Sequence, residues 1–170
     1  TGNDSNEIAS IISGDVGKVI NLVVLRDNEK VNVTTALAEI ELDSVYTEVK
    51  ESNNKKIGYI QITNFASNTY KQFNKKLKAL EKDNIDSLII DVRGNTGGHL
   101  AVVTEILDLF FDKDTVLYQI QDKKSTTKYS AKRSDKRDYP VVVLTNHGSA
   151  SASEILASCF KERYKDATKS

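Results

Sequence analysis

Three serines at alternating positions in the segment TNHGSASASEIL (145–156) are the residues of this chain best suited to nucleophilic chemistry. A serine hydroxyl attacks a carbonyl carbon when it is held rigidly beside a proton acceptor and beside N–H donors that receive the developing negative charge. The strand-like run PVVVLTN precedes the serines and an apolar, helix-like run follows them. They therefore lie at a strand-to-helix junction, where free backbone N–H groups and the positive end of the helix are available.

Ser151 is the serine that the local pattern singles out. Together with Glu154 it fits the S-x-x-E capping box, in which the serine hydroxyl caps the helix and the glutamate accepts a hydrogen bond from the serine's backbone N–H. Ser149 and Ser153 have no glutamate three residues later. A helix cap and an attacking hydroxyl are both open to Ser151, since the same geometry suits either role.

A second loop, in the segment IIDVRGNTGGHL (89–100), has the same strand–turn–helix construction. Gly97 and Gly98 can turn successive N–H groups toward an anion, or simply supply the positive φ of an ordinary turn. The loop matches neither G-x-G-x-x-G nor a P-loop, so nucleotide binding is not indicated. If the two strands are parallel neighbours, both loops leave the same edge of the sheet, where ligands usually bind.

No side chain stands out as the base. His99 and His147 flank the two loops, and we expect both to be solvated rather than paired with a serine. Lys161, Lys165 and Lys169 lie more than two helical turns beyond Ser151, too far to reach back. No paired Cys/His spacing or H-E-x-x-H motif is present, so no metal and no other cofactor is expected.

The elements that must position these loops follow from hydrophobic periodicity. From residue 43 onward, strand-like and helix-like segments alternate, which predicts a layered α/β fold with a mainly parallel sheet. The segment 68–84 predicts a helix with Phe73, Leu77 and Leu80 on its buried face. The apolar runs 85–92 and 139–146 predict strands covered on both faces.

The first 42 residues read differently from the rest. A short helix begins near Asp4, and two strand-like runs flank a turn at 26–29, so the segment predicts half of a small β-rich module. The sequence begins abruptly before this helix, without an initiator methionine, and we expect the chain to be an excised piece of a longer protein.

The composition gives no indication of a nucleic-acid partner, an internal disulfide or a membrane span. Lys+Arg and Asp+Glu both number 24, so the formal net charge is zero and no nucleic-acid partner is indicated. The basic stretch 121–138 contains interleaved aspartates and predicts a solvated hairpin or loop. Cys159 is the single cysteine, which excludes an internal disulfide. No apolar run approaches the roughly 18 residues of a membrane span.

The segments NHGSASASEI and IIDVRGNTGG, in this order and with these elements between them, resemble the carboxyl-terminal processing peptidases, or tail-specific proteases. These are serine peptidases with a Ser-Lys pair. The resemblance covers almost the whole chain. It implies a crotonase-like or ClpP-like layered α/β protease core at 43–170, preceded by the C-terminal part of a PDZ domain at 1–42.

The resemblance also implies roles for individual residues. Ser151 would be the nucleophile, and the backbone N–H groups of Gly97, Gly98 and Ala152 would form the oxyanion hole. Glu154 would support the site, and Cys159 would pack in the nucleophile helix. The family's catalytic lysine lies in a glycine-rich segment after this helix. No such segment occurs in the 19 residues that follow Ser151.

The expectation is therefore a fragment, inactive by itself, of an extracytoplasmic or membrane-attached endopeptidase that cleaves polypeptides with exposed C-termini. The truncated PDZ segment is open to self-association or domain exchange. Two alternatives remain: a peptide-binding module without chemistry, and an acyl-thioester enzyme of the crotonase type, which needs an oxyanion hole but no nucleophilic serine.

Overall fold

The computed structural model describes residues 4–38, 42–133 and 137–163. The chain divides into two compact units, residues 1–42 and residues 43–170. Within the described residues, no helix is both long and apolar enough to cross a membrane.

The smaller unit consists of one short helix and one β-hairpin: α1 Ser5–Ile11, β1 Val19–Arg26 and β2 Glu29–Ala36. The predicted turn at 26–29 is confirmed. Asp27 and Asn28 both have positive φ, 51° and 65°, which is the backbone of a type I′ hairpin turn. Of the described residues in this unit, Ile20 alone is buried. A two-stranded sheet with so little buried apolar surface is only marginally stable by itself.

The larger unit contains three helices and six strands within its described residues. In chain order they are β3 Val45–Ser52, β4 Lys55–Ile62, α2 Thr69–Lys82, β5 Ser87–Asp91, α3 Leu100–Leu107, β6 Val116–Gln121, β7 Thr126–Ser130, β8 Val141–Leu144 and α4 Ala152–Arg163. The predicted mixed α/β architecture is confirmed.

Four strands form one sheet in the order β3-β4-β5-β8. The β3–β4 pair is antiparallel, whereas β4–β5 and β5–β8 are parallel. Since β5 and β8 are parallel neighbours, the loops that follow them leave the same edge of the sheet, as predicted. Strands β6 and β7 form a separate antiparallel hairpin, so residues 121–130 of the basic stretch belong to a hairpin, one of the two expected forms.

The core lies between the sheet and the helices. The predicted buried face of α2 is confirmed, because Phe73, Leu77 and Leu80 are all buried. Phe110 packs edge-on against Phe73 and Phe160, with ring centroids 6.2 Å and 5.2 Å apart. These aromatic contacts join α2 to α4 through the segment after α3, and so tie the two helices together within the core.

One expectation about the strands is wrong, and one strand was missed. Strands β5 and β8 are not covered on both faces: Ile89 is only half-buried, and Val142 is 45% exposed. A run of apolar residues in the sequence does not distinguish a strand buried on both faces from one whose second face is exposed to solvent. Strand β3 was not predicted. Seven of its eight residues are exposed, so it lacks the buried alternation that marks a strand.

Candidate active site

Two loops at one edge of the sheet form the candidate site. We define the glycine loop as residues 92–99, between β5 and α3, and the serine loop as residues 145–151, between β8 and α4. The loops are in direct contact. A methyl group built on Gly97 would lie 2.8 Å from Ser151 Cβ and 3.2 Å from the Ala152 nitrogen. Only a residue without a side chain allows this approach, and it brings the predicted nucleophile beside the predicted donor loop.

Ser151 has an unusual backbone conformation. Seven non-glycine residues among those described have positive φ; six of them are Asn or Asp, the residues that tolerate this conformation best, and the seventh is Ser151 at 54°. For a serine, the left-handed conformation costs about 1–2 kcal/mol. Such strain persists only where surrounding contacts impose it, and it is concentrated at functional sites.

The capping box at Ser151 is half formed. The Ser151 N–H donates to Glu154 Oε2 over 2.7 Å, which is the predicted reach-back of the glutamate. The Ser151 hydroxyl, however, makes no hydrogen bond to any described residue, and the side chain is exposed. The predicted hydroxyl cap is therefore wrong for this conformation, because an N-cap normally has extended φ and ψ, whereas Ser151 is left-handed. The hydroxyl is left available at the surface.

The two neighbouring serines are both engaged in holding the loop. Ser149 Oγ donates to the Val92 carbonyl at the end of β5 over 2.8 Å. It also accepts a hydrogen bond from the Asn146 N–H. Ser153 is fully buried, and its Oγ donates to the Asn95 carbonyl over 2.8 Å. Of the three serines, only Ser151 combines exposure with an uncommitted hydroxyl within the described structure.

The three predicted N–H donors differ in availability. The N–H groups of Gly98 and Ala152 have no hydrogen-bond partner among the described residues. The Gly97 N–H donates to Asn95 Oδ1 over 2.8 Å, so it is not free to receive an oxyanion. This corrects the expectation for Gly97, whose contribution is close approach to Ser151.

Phe65 fixes the position of the peptide group that carries the unpaired Gly98 N–H. The Phe65 N–H donates to the Gly97 carbonyl over 2.9 Å, and its carbonyl accepts from the His99 N–H over 2.8 Å. Gly98 has φ of 143°, and a methyl group on it would lie 2.4 Å from the Phe65 oxygen. The loop is thus hydrogen-bonded on both sides of Gly98, at a position that only glycine can occupy.

A polar cluster anchors the start of the glycine loop. The Asp91 carboxylate, 1% exposed, pairs with the Arg93 guanidinium at 2.6 Å and accepts a 2.6 Å hydrogen bond from the Tyr59 hydroxyl. Burial acts to raise the pKa of Asp91, but the hydrogen bonds from Arg93 and Tyr59 outweigh it, and the pKa lies below its usual value. Burial and the adjacent carboxylate raise the pKa of Tyr59.

No base for Ser151 is apparent among the described residues. His99 and His147 are both exposed, and neither is hydrogen-bonded to the Ser151 hydroxyl. Lys161 is exposed on α4. The other two lysines considered, Lys165 and Lys169, lie outside the described residues. Cys159 is buried with the core residues, in agreement with its predicted packing role. Across the described ranges, no three His, Cys, Asp or Glu side chains cluster as metal ligands would.

A cavity of about 630 Å³ adjoins Ser151. Its walls are strand β6, with Val116 and Tyr118, and one face of helix α4, with Ile155 and Ser158. The mixture of apolar and polar walls suits a side chain of a polypeptide or a small organic group.

Comparisons with known proteins agree on one family. Residues 56–166 match the sequence family described as peptidase family S41. The chain is 40% identical over 164 residues to the carboxy-terminal processing protease CtpB of Bacillus subtilis. That alignment covers 95% of this chain and 34% of the relative. The chain is also 34% identical over 158 residues to the carboxyl-terminal-processing protease of a Picosynechococcus species, and that alignment covers 92% of this chain and 38% of that protein.

Solved structures show the same fold. The photosystem II D1 C-terminal processing protease superposes with a TM-score of 0.66 at 23% sequence identity, over 89% of this chain and 43% of that one. The chain thus spans a little over a third of the length of the two relatives described above.

Proposed function

This chain belongs to peptidase family S41, and we propose that its serine loop and glycine loop form the nucleophile and oxyanion-binding side of a serine endopeptidase active site. One observation carries the proposal. Ser151 is held in a strained left-handed conformation, its exposed hydroxyl makes no hydrogen bond to any described residue, and Gly97 of the donor loop packs directly against it. A helix cap alone would not require this conformation.

In the proposed reaction, Ser151 Oγ attacks the carbonyl carbon of a peptide bond and loses its proton to a base. The oxyanion of the tetrahedral intermediate accepts hydrogen bonds from the Gly98 and Ala152 N–H groups, which are both unpaired among the described residues. The base returns the proton to the leaving amine, which departs from the acyl-enzyme. Water then hydrolyses the ester, and Ser151 is regenerated.

We assign the base to a lysine that is not in this chain, as the family resemblance implies. A lysine whose pKa is lowered by burial is neutral and can accept the hydroxyl proton. No lysine among the described residues is hydrogen-bonded to Ser151. The 170-residue chain by itself is then inactive.

The finer features are part of the same proposal. The core is of the crotonase-like type, and residues 1–42 are the end of a PDZ domain that delivers exposed polypeptide C-termini in an extracytoplasmic compartment. The cavity between α4 and β6 receives the substrate side chain next to the scissile bond, because it opens beside Ser151.

The test uses the full-length protein and a fluorophosphonate probe, which reacts with activated serines. We expect the probe to modify the peptide that contains Ser151, and Ser151→Ala to lower kcat on an unstructured peptide by about 10⁴-fold or more. Heat-denatured protein is the control for nonspecific labelling. Full peptidase activity in Ser151→Ala would overturn the proposal, activity on an acyl-thioester that survives Ser151→Ala would favour the thioester alternative, and strong activity of the 170-residue chain would place a base within it.

A further inference from the structure

Asn95 is a buried side chain of the candidate site that is hydrogen-bonded through both its amide oxygen and its amide nitrogen, although its sequence context marks it only as a turn residue. It is fully buried. Its Oδ1 accepts a hydrogen bond from the Gly97 N–H over 2.8 Å, and its Nδ2 donates to the Ile62 carbonyl over 2.9 Å. The side chain therefore ties the glycine loop to the end of strand β4 with both amide groups satisfied.

The main chain of Asn95 holds the other loop. Its carbonyl accepts two hydrogen bonds, from the Ala150 N–H over 3.1 Å and from the Ser153 hydroxyl over 2.8 Å. These two donors flank Ser151 and Ala152 in sequence. A single buried oxygen thus holds the chain one residue before the attacking serine and two residues after it, at the end of the serine loop and in the first turn of α4.

We propose that Asn95 is the positioning residue that sets the spacing between the two oxyanion donors, Gly98 and Ala152; this inference rests on the proposed function. Asn95 is not hydrogen-bonded to either donor within the described structure, but it holds the residue before Gly98 and the residues on both sides of the Ser151–Ala152 pair. Oxyanion stabilisation requires donors within a few tenths of an ångström of their productive positions. A buried, fully satisfied network provides that rigidity.

Asn146 provides a comparison within the same site. Its Oδ1 also joins the two loops, accepting from the Gly94 N–H over 2.9 Å and from the Gly148 N–H over 3.0 Å. Asn146 is exposed, so water can replace its hydrogen bonds, whereas no water reaches the position of Asn95. The inference therefore predicts a much larger catalytic effect at Asn95 than at Asn146.

The first experiment is Asn95→Asp in the full-length protein. This change keeps the acceptor for Gly97 but places an oxygen, in place of the Nδ2 donor, against the Ile62 carbonyl. We expect kcat per active site, titrated with the fluorophosphonate, to fall about 100-fold, while KM changes less than threefold. The affinity for a peptide aldehyde, whose adduct with serine carries the oxyanion, should fall by a similar factor.

A second variant covers the case in which Asn95→Asp does not fold. Ser153→Ala removes only the buried hydroxyl that donates to the Asn95 carbonyl, and we expect kcat and aldehyde affinity to fall about tenfold together. Ser44→Ala is the matched control. Its buried hydroxyl bonds to Thr69, and neither residue belongs to the two loops, so its loss should lower the Tm without changing kcat per active site.

The outcomes separate the inference from the proposed function. If the wild type is active, Ser151→Ala is inactive, and Ser153→Ala and every folded Asn95 variant keep kcat and aldehyde affinity within threefold of wild type, then Asn95 is merely structural and the inference is overturned. If Asn146→Ala is impaired as much as Asn95→Asp, the inference is also wrong. If the wild type neither cleaves peptide nor reacts with the probe, the proposed function fails and the inference falls with it.

Discussion

The glycine loop and the serine loop both carry the chain from a parallel strand into a helix, but they place left-handed backbone on different residue types. In the glycine loop, positive φ falls on Gly94, Gly97 and Gly98, where it costs little. In the serine loop it falls on Ser151, where a side chain makes it unfavourable. The loop that supplies only backbone groups is relaxed, whereas the loop that presents a reactive side chain is strained.

The loops also differ in how they are anchored. The anchor of the glycine loop, Asn95, is buried, and Phe65 holds the loop from a third segment. The anchor of the serine loop, Asn146, is exposed, and that loop is otherwise held by hydrogen bonds to Val92 and Asn95 of the glycine loop. The glycine loop therefore supports the serine loop, and the position of Ser151 depends on it.

The substitution expected to disrupt the glycine loop most is at Gly98. Gly98→Ala would place a methyl group 2.4 Å from the Phe65 carbonyl oxygen, at φ of 143°. Backbone must move, and we expect a loss of about 3 kcal/mol or more in the free energy of unfolding, measured by urea titration. The control is Gly94→Ala, where φ is also positive but nothing lies within 4 Å. Equal losses in the two variants would show that Phe65 does not constrain the loop.

Gly97→Ala tests the contact between the loops. The added methyl group would lie 2.8 Å from Ser151 Cβ and should push the serine loop away. We expect kcat to fall about 10- to 100-fold, because small displacements of a reacting group are costly. The fall should exceed that in Gly94→Ala after correction for folded protein. A kcat that follows only the folded fraction would mean that the loops can separate without harm.

The strain at Ser151 predicts a reversal of the usual order of alanine and glycine. Ser151→Gly should be more stable than Ser151→Ala by about 1 kcal/mol, since glycine adopts φ of 54° without penalty. At Ser153, inside helix α4, the order should be the opposite by a similar amount. Thermal unfolding of the four variants measures both differences. The same order at both positions would contradict a strained Ser151.

The smallest expected effect is the acid sensitivity of the glycine loop. The folded pKa of Asp91 is below its unfolded value, so its contribution to stability is complete above about pH 4 and is lost as pH falls through the folded pKa. Asp91→Asn should flatten this acid limb in urea midpoints measured from pH 7 down to pH 2. Asn146→Ala, which removes a neutral anchor, should leave the slope unchanged. An unaltered slope in Asp91→Asn would exclude this carboxylate as its source.

Local sequence patterns predicted much of the framework. The spacing of Phe73, Leu77 and Leu80 predicted the buried face of α2, and parallel strands predicted that both loops share one edge. The S-x-x-E pattern selected Ser151 and predicted the hydrogen bond that its N–H donates to Glu154. Each of these depends on residues close in sequence or on a general rule of sheet topology, so no tertiary detail was needed.

The sequence by itself determined the family, the order of most elements and the two loops that meet. Only the tertiary structure decided which groups within those loops are available. The Gly97 N–H donates to Asn95, and the Ser151 hydroxyl forms no capping hydrogen bond within the described structure. Asn95 is hydrogen-bonded to both loops. These outcomes depend on hydrogen bonds between residues up to 58 positions apart, such as that from Ser153 to Asn95. A buried polar group takes whichever partner the packed fold brings to it, and sequence spacing does not contain that information.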